Sequence, residues 1–287
     1  MTVSIPATGL PRGRAMTQVA TAPPMSVAVR ETREAYDALA DAYDALTADY
    51  CHDTWLAAID ALVRGLGAPG RRLLDLACGT GKSFVPMLAR GYEVSACDVS
   101  PAMASRAARK APAANVFVAD MCTLGGSGGF DVVTCLDDAL NYLLAEGELA
   151  AALRTVRANL GHGGIAIWDV NALLMYRTSF ATDLVIDRDG FFIAWAGDAS
   201  PDAEAGCIAE ATIDVFTASG PGWSRTRSVH RQRHWPSAEV ARIARHAGLR
   251  VVAMLGQRHG AILDPLVDES THSKVLFVAC RDDDERR

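Results

Sequence analysis

No apolar run in the 287-residue sequence approaches the roughly 18–20 residues that a bilayer-spanning helix needs, so no membrane partner is expected. The seven cysteines form no Cys-x-x-Cys pair and no Cys/His cluster with ligand spacing, so no metal site is expected. Cys78, Cys97, Cys135 and Cys280 fall in apolar strand-like runs, where a thiol reads as a small buried hydrophobe. That usage suits a reducing, cytoplasmic setting. There is no excess of positive charge. A net charge of −6 argues against a general grip on nucleic acid. The first 30 residues carry three arginines and scattered prolines but no apolar h-region, so they read as a flexible leader and not as a secretory signal. No internal repeat is evident.

Half of the residues are apolar, enough for the sizeable core of one large α/β domain, or of a domain with an insert. Residues 31–64 read as helical, with Tyr36, Leu39, Tyr43 and Leu46 on one face. From Arg71 strands and helices alternate. Strands are expected at Leu73–Ala77, Tyr92–Cys97, Asn115–Ala119, Asp131–Leu136 and Ile165–Val170. Helices are expected over Lys82–Arg90, after the Ser100-Pro101 start signal, and over Glu146–Leu160, closed by Gly161 with Gly163-Gly164. Between Asn171 and about Pro236 the helical period disappears. Strand-like runs at Phe191–Trp195, Ile208–Phe216 and Ser224–His234 suggest an antiparallel insertion. Alternation resumes with a helix over Ser237–Ala247 and strands at Arg250–Leu255 and Lys274–Cys280. The charged tail Arg281–Arg287 is expected to fray.

The expected fold is therefore α/β: a doubly wound, Rossmann-like, mostly parallel seven-stranded sheet with an antiparallel lid inserted after the fifth strand. The expected organisation is a leader over 1–30, a ligand-binding core with N-terminal helices over 31–170, the lid over 171–235, and the completion of the core sheet over 236–287.

The run Leu73-Leu74-Asp75-Leu76-Ala77-Cys78-Gly79-Thr80-Gly81 is an apolar strand breaking into a glycine turn. A phosphate loop would need glycine at Leu76, and a dinucleotide loop would need glycine at Phe84, where close helix–strand packing has no room for a bulky side chain. The remaining reading is S-adenosylmethionine, a nucleoside with a cationic sulfonium and no phosphate. Glycine lets the backbone approach a nucleoside closely. Asp75, Asp98 and Asp120 stand at three successive strand tips, the edge where such sheets bind ligands. In this reading Asp75 faces the ligand's ammonium, Asp98 the ribose hydroxyls and Asp120 the adenine amine.

Leu73–Gly81, Gly91-Tyr92-Glu93-Val94 through Asp98-Val99-Ser100-Pro101-Ala102-Met103, and Ala119-Asp120-Met121 together resemble the class I S-adenosylmethionine-dependent methyltransferases. The resemblance runs from about Tyr36 to Cys280. It implies cofactor contacts at Tyr43, Asp75, Ala77, Gly79, Gly81, Asp98, Val99, Met103, Asp120, Met121 and Leu136. The opening Tyr36-Asp37-x-Leu39-Ala40-x-x-Tyr43-Asp44 and the stretch Phe130-Asp131 through Leu136-Asp137-Asp138-Ala139-Leu140-Asn141-Tyr142-Leu143 are similar to glycine- and aminosugar-N-methylating enzymes.

Methyl transfer chiefly needs an acceptor held in position, with a base where the acceptor arrives protonated. Candidates for that work are Asp137 at the fourth strand's tip, Tyr36 over the cofactor, and His230 and His234 at the end of the lid. Tyr36 and Tyr43 read equally as core packing, the two histidines as a solvated basic edge, and the arginines from Arg225 to Arg250 as an attraction for an anionic substrate or as a solvated face. The expected activity is methyl transfer to a small molecule at N, O or C. Alternatives are a methyltransferase acting on RNA or protein, a nicotinamide-dependent oxidoreductase, and a non-methylating cofactor-binding protein. The sequence leaves the oligomeric state open, a homo-oligomer included.

Overall fold

The computed structural model describes residues 25–126, 128–188, 190–258 and 261–284. The expected leader lies outside the described residues as far as residue 24.

Three helices lead into the sheet: α1 (Val27–Leu39), α2 (Tyr43–Leu46) and α3 (His52–Gly65). The helical face starts earlier than residue 31 because Ser26 caps α1, its hydroxyl accepting from Val29 N at 3.2 Å. The chain then alternates through β1 (Arg72–Leu76), α4 (Val85–Ala89), β2 (Glu93–Asp98), α5 (Pro101–Lys110), β3 (Asn115–Val118), β4 (Phe130–Cys135), α6 (Glu146–Asn159) and β5 (Leu160–Asn171). Ser100 caps α5, accepting from Met103 N, with Pro101 in the first turn. Helix α4 is shorter than its expected span because residues 79–84 are spent on the glycine turn.

A short helix α7 (Leu173–Arg177) opens the insertion. It is followed by β6 (Asp183–Arg188), β7 (Phe191–Gly197), β8 (Ile208–Ser219) and β9 (Gly222–Arg233). Helix α8 (Ser237–His246), β10 (Leu249–Arg258), β11 (Ile262–Asp264) and β12 (Lys274–Arg281) complete the chain.

Among the described residues two sheets form. The larger has the order β11-β10-β12-β5-β4-β1-β2-β3, and the smaller β6-β7-β8-β9. The seven expected core strands are present, and the three-residue β11 adds an eighth at the edge. Strands β3, β2, β1, β4 and β5 run parallel; β12 lies antiparallel to both its neighbours, β5 and β10, so β10 runs with the five. Strand order reverses between β1 and β4, which opens a crevice at their carboxyl ends. Apolar clusters cover both faces. Leu149, Leu153, Val240 and Ile243 belong to one, and Leu56, Ile59, Val63 and Met87 to the other. Trp168 and Phe277 stack at 5.6 Å across β5 and β12.

The lid sheet rests on the N-terminal helices, where Leu39 and Ala42 pack against Ile193, Ile213 and Val215. Strand β6 and helix α7 carry no helical or strand period strong enough to anticipate. The turn from α6 into β5 places the left-handed backbone at Gly163, one of the three glycines expected to close that helix. The charged tail is tied down as far as Asp284: Arg157 pairs with Asp283 at 2.9 Å, and Gly163 N donates to Asp284 Oδ2. Among the described residues no helix is long and apolar enough to cross a membrane.

Candidate active site

The crevice between β1 and β4 holds a pocket of about 810 Å³. Its floor is the glycine turn, with Ala77, Cys78, Gly79 and Thr80 on the wall. Ala77, Gly79 and Gly81 have φ of 55°, 54° and 92°. This left-handed run turns the chain away from the strand and brings bare backbone to the pocket. A Cβ on Gly79 would stand 3.8 Å from the Tyr43 ring, so Tyr43 closes directly over the turn.

Asp98, at the tip of β2, lines the pocket and organises its floor. It accepts from Gly79 N and Ser100 N, both at 2.8 Å. Burial pushes its carboxyl up to about 6, against the pull of those two hydrogen bonds. Val99, Asp120, Met121 and Leu136 continue the wall. One Asp120 oxygen accepts from Cys122 N at 2.8 Å.

Helix α1 and the turn after it form the roof, with Val29, Thr32, Tyr36 and Tyr43 over the pocket. The acids of the Tyr-Asp repeat fix that roof. Asp37 accepts from Ser100 Oγ at 2.6 Å, and Asp44 accepts from Thr80 Oγ1 at 2.6 Å. Both Tyr-Asp pairs turn their tyrosines in and tie their aspartates to the strand loops, although residues 40–42 break the helix between them.

At the far end Asp137 meets the pocket. Its φ of 60° and the 54° of Asp138 make two successive non-glycine residues left-handed, a conformation costing about 1–2 kcal/mol per residue. Asp137 Oδ2 lies 2.8 Å from His52 Nε2, and Oδ1 lies 3.3 Å from Lys274 Nζ. Lys274 also pairs with Asp138 at 3.3 Å and with Asp169 at 2.7 Å. Burial raises the Asp137 carboxyl, but the Lys274 ammonium and His52 overcome that and hold it well below the usual carboxylate range. Asp169, wholly buried, is pushed up to about 6 by burial despite Lys274. Burial would drive the Lys274 proton off, and the three carboxylates more than reverse this.

A chain of hydroxyls runs behind this end. Tyr36 Oη donates to Tyr142 Oη at 2.9 Å, and Tyr142 Oη meets His230 Nδ1 at 3.0 Å.

Five expected site residues, His230 behind Tyr142 among them, do not reach the pocket wall. Asp75 is fully buried beneath the turn, where it accepts from Ser83 Oγ at 2.5 Å and Thr134 Oγ1 at 2.6 Å. Its carboxyl, pushed up to about 7 by burial, clasps the loop and is not presented to a ligand. Gly81 turns toward Phe84, and Met103 is buried in α5. His234 is separated from His230 by about 13 Å of extended chain. It is bound into the base of the lid, with Nε2 at 2.7 Å from Glu269 and Nδ1 accepting from Gly206 N. Lys274, His52, Thr32 and Lys82 were not anticipated. The expected basic face is largely neutralised: Arg225 and Arg227 both bind Asp214, and Arg231 binds Glu210 and Glu31.

The pocket suits a cationic nucleoside. Its walls are apolar between the carboxylates of Asp98, Asp120 and Asp137, and the Lys82 ammonium is turned to Thr47 O and Oγ1 at 2.8 and 2.7 Å.

Comparisons agree with this geometry. A family model described as a methyltransferase domain matches residues 73–164. The chain is 33% identical over 250 residues to a protein of Geobacillus sp. (strain WCH70) whose own name proposes a methyltransferase, covering 85% of this chain and 98% of that one. It is 30% identical over 248 residues to the dTDP-3-amino-3,6-dideoxy-alpha-D-glucopyranose N,N-dimethyltransferase of Streptomyces fradiae, covering 84% and 92%. The crystal structure of an S-adenosylmethionine-dependent methyltransferase from Clostridium acetobutylicum ATCC 824 superposes with a TM-score of 0.71 at 22% identity, over 85% of this chain and 98% of that one. The chain belongs to the S-adenosylmethionine-dependent methyltransferases.

Proposed function

We propose that the protein methylates an amine nitrogen of a small molecule. The observation that carries this reading is the Asp137 carboxylate, held ionised by Lys274 and His52 on the pocket wall. A fixed anion at that place attracts and orients an ammonium acceptor, and a charge-assisted hydrogen bond to it contributes about 1.5–3 kcal/mol. The Streptomyces fradiae relative, named for an amino sugar, supports the same class.

In this reading Tyr43, Ala77, Gly79, Asp98, Val99, Asp120, Met121 and Leu136 hold S-adenosylmethionine. Bound there, it supplies a methyl group on a sulfonium. The chain's own residues do the rest. Asp98 and Asp120 accept hydrogen bonds from the nucleoside, Tyr36 and Tyr43 exclude water, and Asp137 positions the acceptor nitrogen. The nitrogen attacks only as the neutral amine, so its proton must leave the site.

The test is methyl transfer from labelled S-adenosylmethionine to a panel of amino sugars, amino acids, phenols and RNA. Label confined to amines, and reduced in Asp137→Asn, is the expected result. Label on phenols or RNA at equal rates in both proteins contradicts it.

A further inference from the structure

Tyr36 and Tyr142 line the pocket, but the hydrogen-bond chain they begin does not end there. Beyond Tyr142 Oη it reaches His230 Nδ1 at 3.0 Å, and His230 Nε2 meets Ser228 Oγ at 3.0 Å. Ser228 lines a second cavity, a groove of about 960 Å³ between α1 and β9. That groove is lined by Glu31, Glu34, Glu210, Arg227 and Arg231, and Glu31, Glu34, Arg227 and Arg231 are solvent-exposed. Thr32 and Tyr142 belong to the walls of both cavities.

We infer that Tyr36, Tyr142, His230 and Ser228 form a proton relay from the methyl-transfer pocket to the outer groove. The inference rests on the amine reading, because an ammonium must give up a proton before its nitrogen can attack.

The polarity of the chain is consistent along its length. Tyr36 donates to Tyr142, so the Tyr36 oxygen keeps lone pairs for a proton from the pocket. With Tyr142 donating to Nδ1, His230 carries its proton on Nε2 and donates to Ser228. In one outward shift the ammonium proton moves to Tyr36 Oη, and the Tyr36 proton to Tyr142. The Tyr142 proton then moves to Nδ1, the Nε2 proton to Ser228 Oγ, and the Ser228 proton to solvent. Five bonds to hydrogen form and five break within the chain and its two ends. No relay member keeps a charge.

No single group within the site serves as a strong base at neutral pH, because the carboxylate and the imidazole are weak bases and the phenol is not ionised. Asp137 is held too acidic by Lys274 and His52, burial raises Tyr36 well above the ordinary phenol range, and burial lowers His230 to about 4. A relay that passes the proton on without storing it fits these groups. His230 is 2% exposed, so solvent does not reach the link between Tyr142 and Ser228. The groove's three glutamates, two of them paired with Arg231, outnumber its two arginines at the exit.

Two measurements test the relay. Nitrogen-15 NMR of histidine-labelled protein reads the His230 tautomer with no acceptor present. The relay requires a neutral ring protonated on Nε2. A proton on Nδ1, or on both nitrogens, at neutral pH overturns it. The second measurement is single-turnover transfer to an amine from the panel above. His230→Phe should slow the step about 10²-fold, the lower end of what positioned proton transfer supplies, with S-adenosylhomocysteine affinity unchanged. Ser228→Ala should slow it less, and each variant should flatten the curved dependence of rate on deuterium content seen in the parent. Parent rates and parent curvature in both variants overturn the relay. A protein that methylates phenols and no amine would refute the amine reading, while the His230 tautomer and the rates of the two variants still decide the relay.

Discussion

The His52 imidazole meets the Asp137 carboxylate at 2.8 Å, joining the first turn of α3 to the tip of β4. From the other side Lys274 approaches the same carboxylate at 3.3 Å. Two cationic or proton-donating groups thus hold one anion at the pocket, on a backbone that is left-handed at both Asp137 and Asp138. A backbone cost maintained at a pocket wall is the kind of strain that function retains. Asp137→Asn keeps the shape and removes the charge. It should lower kcat/KM for an amine about 10–100-fold, the value of one charge-assisted hydrogen bond. Steady-state kinetics check this, and S-adenosylhomocysteine affinity should stay within a factor of about two if the residue serves the acceptor alone.

Lys274 neutralises a cluster that otherwise repels itself. Lys274→Met leaves Asp137, Asp138 and Asp169 together, and breaking such a buried pair typically costs about 3–5 kcal/mol. The sign of the pH dependence follows from the carboxyls. Without the ammonium they bind protons more tightly in the folded state, so the deficit is largest at high pH. It should narrow as pH falls through about 6, where Asp169 already titrates in the parent. Urea unfolding at pH 7.5 and 5.5 measures both values.

His230 imposes the opposite slope. Its folded pKa of about 4 lies below the ordinary 6.5, so the unfolded chain binds more protons between those values. Its contribution is complete above pH 6.5 and is lost as pH falls toward 4. Between pH 7 and 5 the parent should lose about 2 kcal/mol that His230→Phe does not lose. The difference between the two proteins isolates this from Asp75, Asp98 and Asp169, whose raised pKa values act the other way.

The two turn glycines should differ in their tolerance. Gly79, at φ 54°, has its nearest neighbour at 3.8 Å, so Gly79→Ala should cost about 1 kcal/mol for the left-handed backbone alone. Gly81, at φ 92°, would place a Cβ 3.2 Å from the Phe84 ring, whose side chain is fully buried. Gly81→Ala should cost about 2–3 kcal/mol, seen as a larger fall in Tm than for Gly79→Ala.

The parallel core is legible in the sequence because its signals are local: an apolar run, a glycine turn and an N-cap each lie within a few residues. The lid is less so. Strand β6 is an edge that buries little, with Leu184 and Val185 exposed at 52% and 57%, so no inward face imposes alternation on it. Helix α7 spans five residues, too few to show a period. The acceptor end is the least legible part. Asp137 could be picked out as a strand-tip acid, but Lys274 and His52 sit 137 and 85 residues away along the chain. Asp75 is ambiguous in sequence for a related reason. A strand-tip acid looks the same in sequence whether it faces a ligand or clasps the loop that will hold one. His230 and His234 share a face and are both buried, yet Tyr142 claims one and Glu269 the other.

The most direct test of the account is calorimetric titration of S-adenosylhomocysteine into the parent protein, Asp98→Ala and Asp137→Asn. The account predicts one site per chain in the parent, affinity lowered at least about tenfold in Asp98→Ala, and affinity near that of the parent in Asp137→Asn. No binding to the parent, or binding to Asp98→Ala as tight as to the parent, would contradict it.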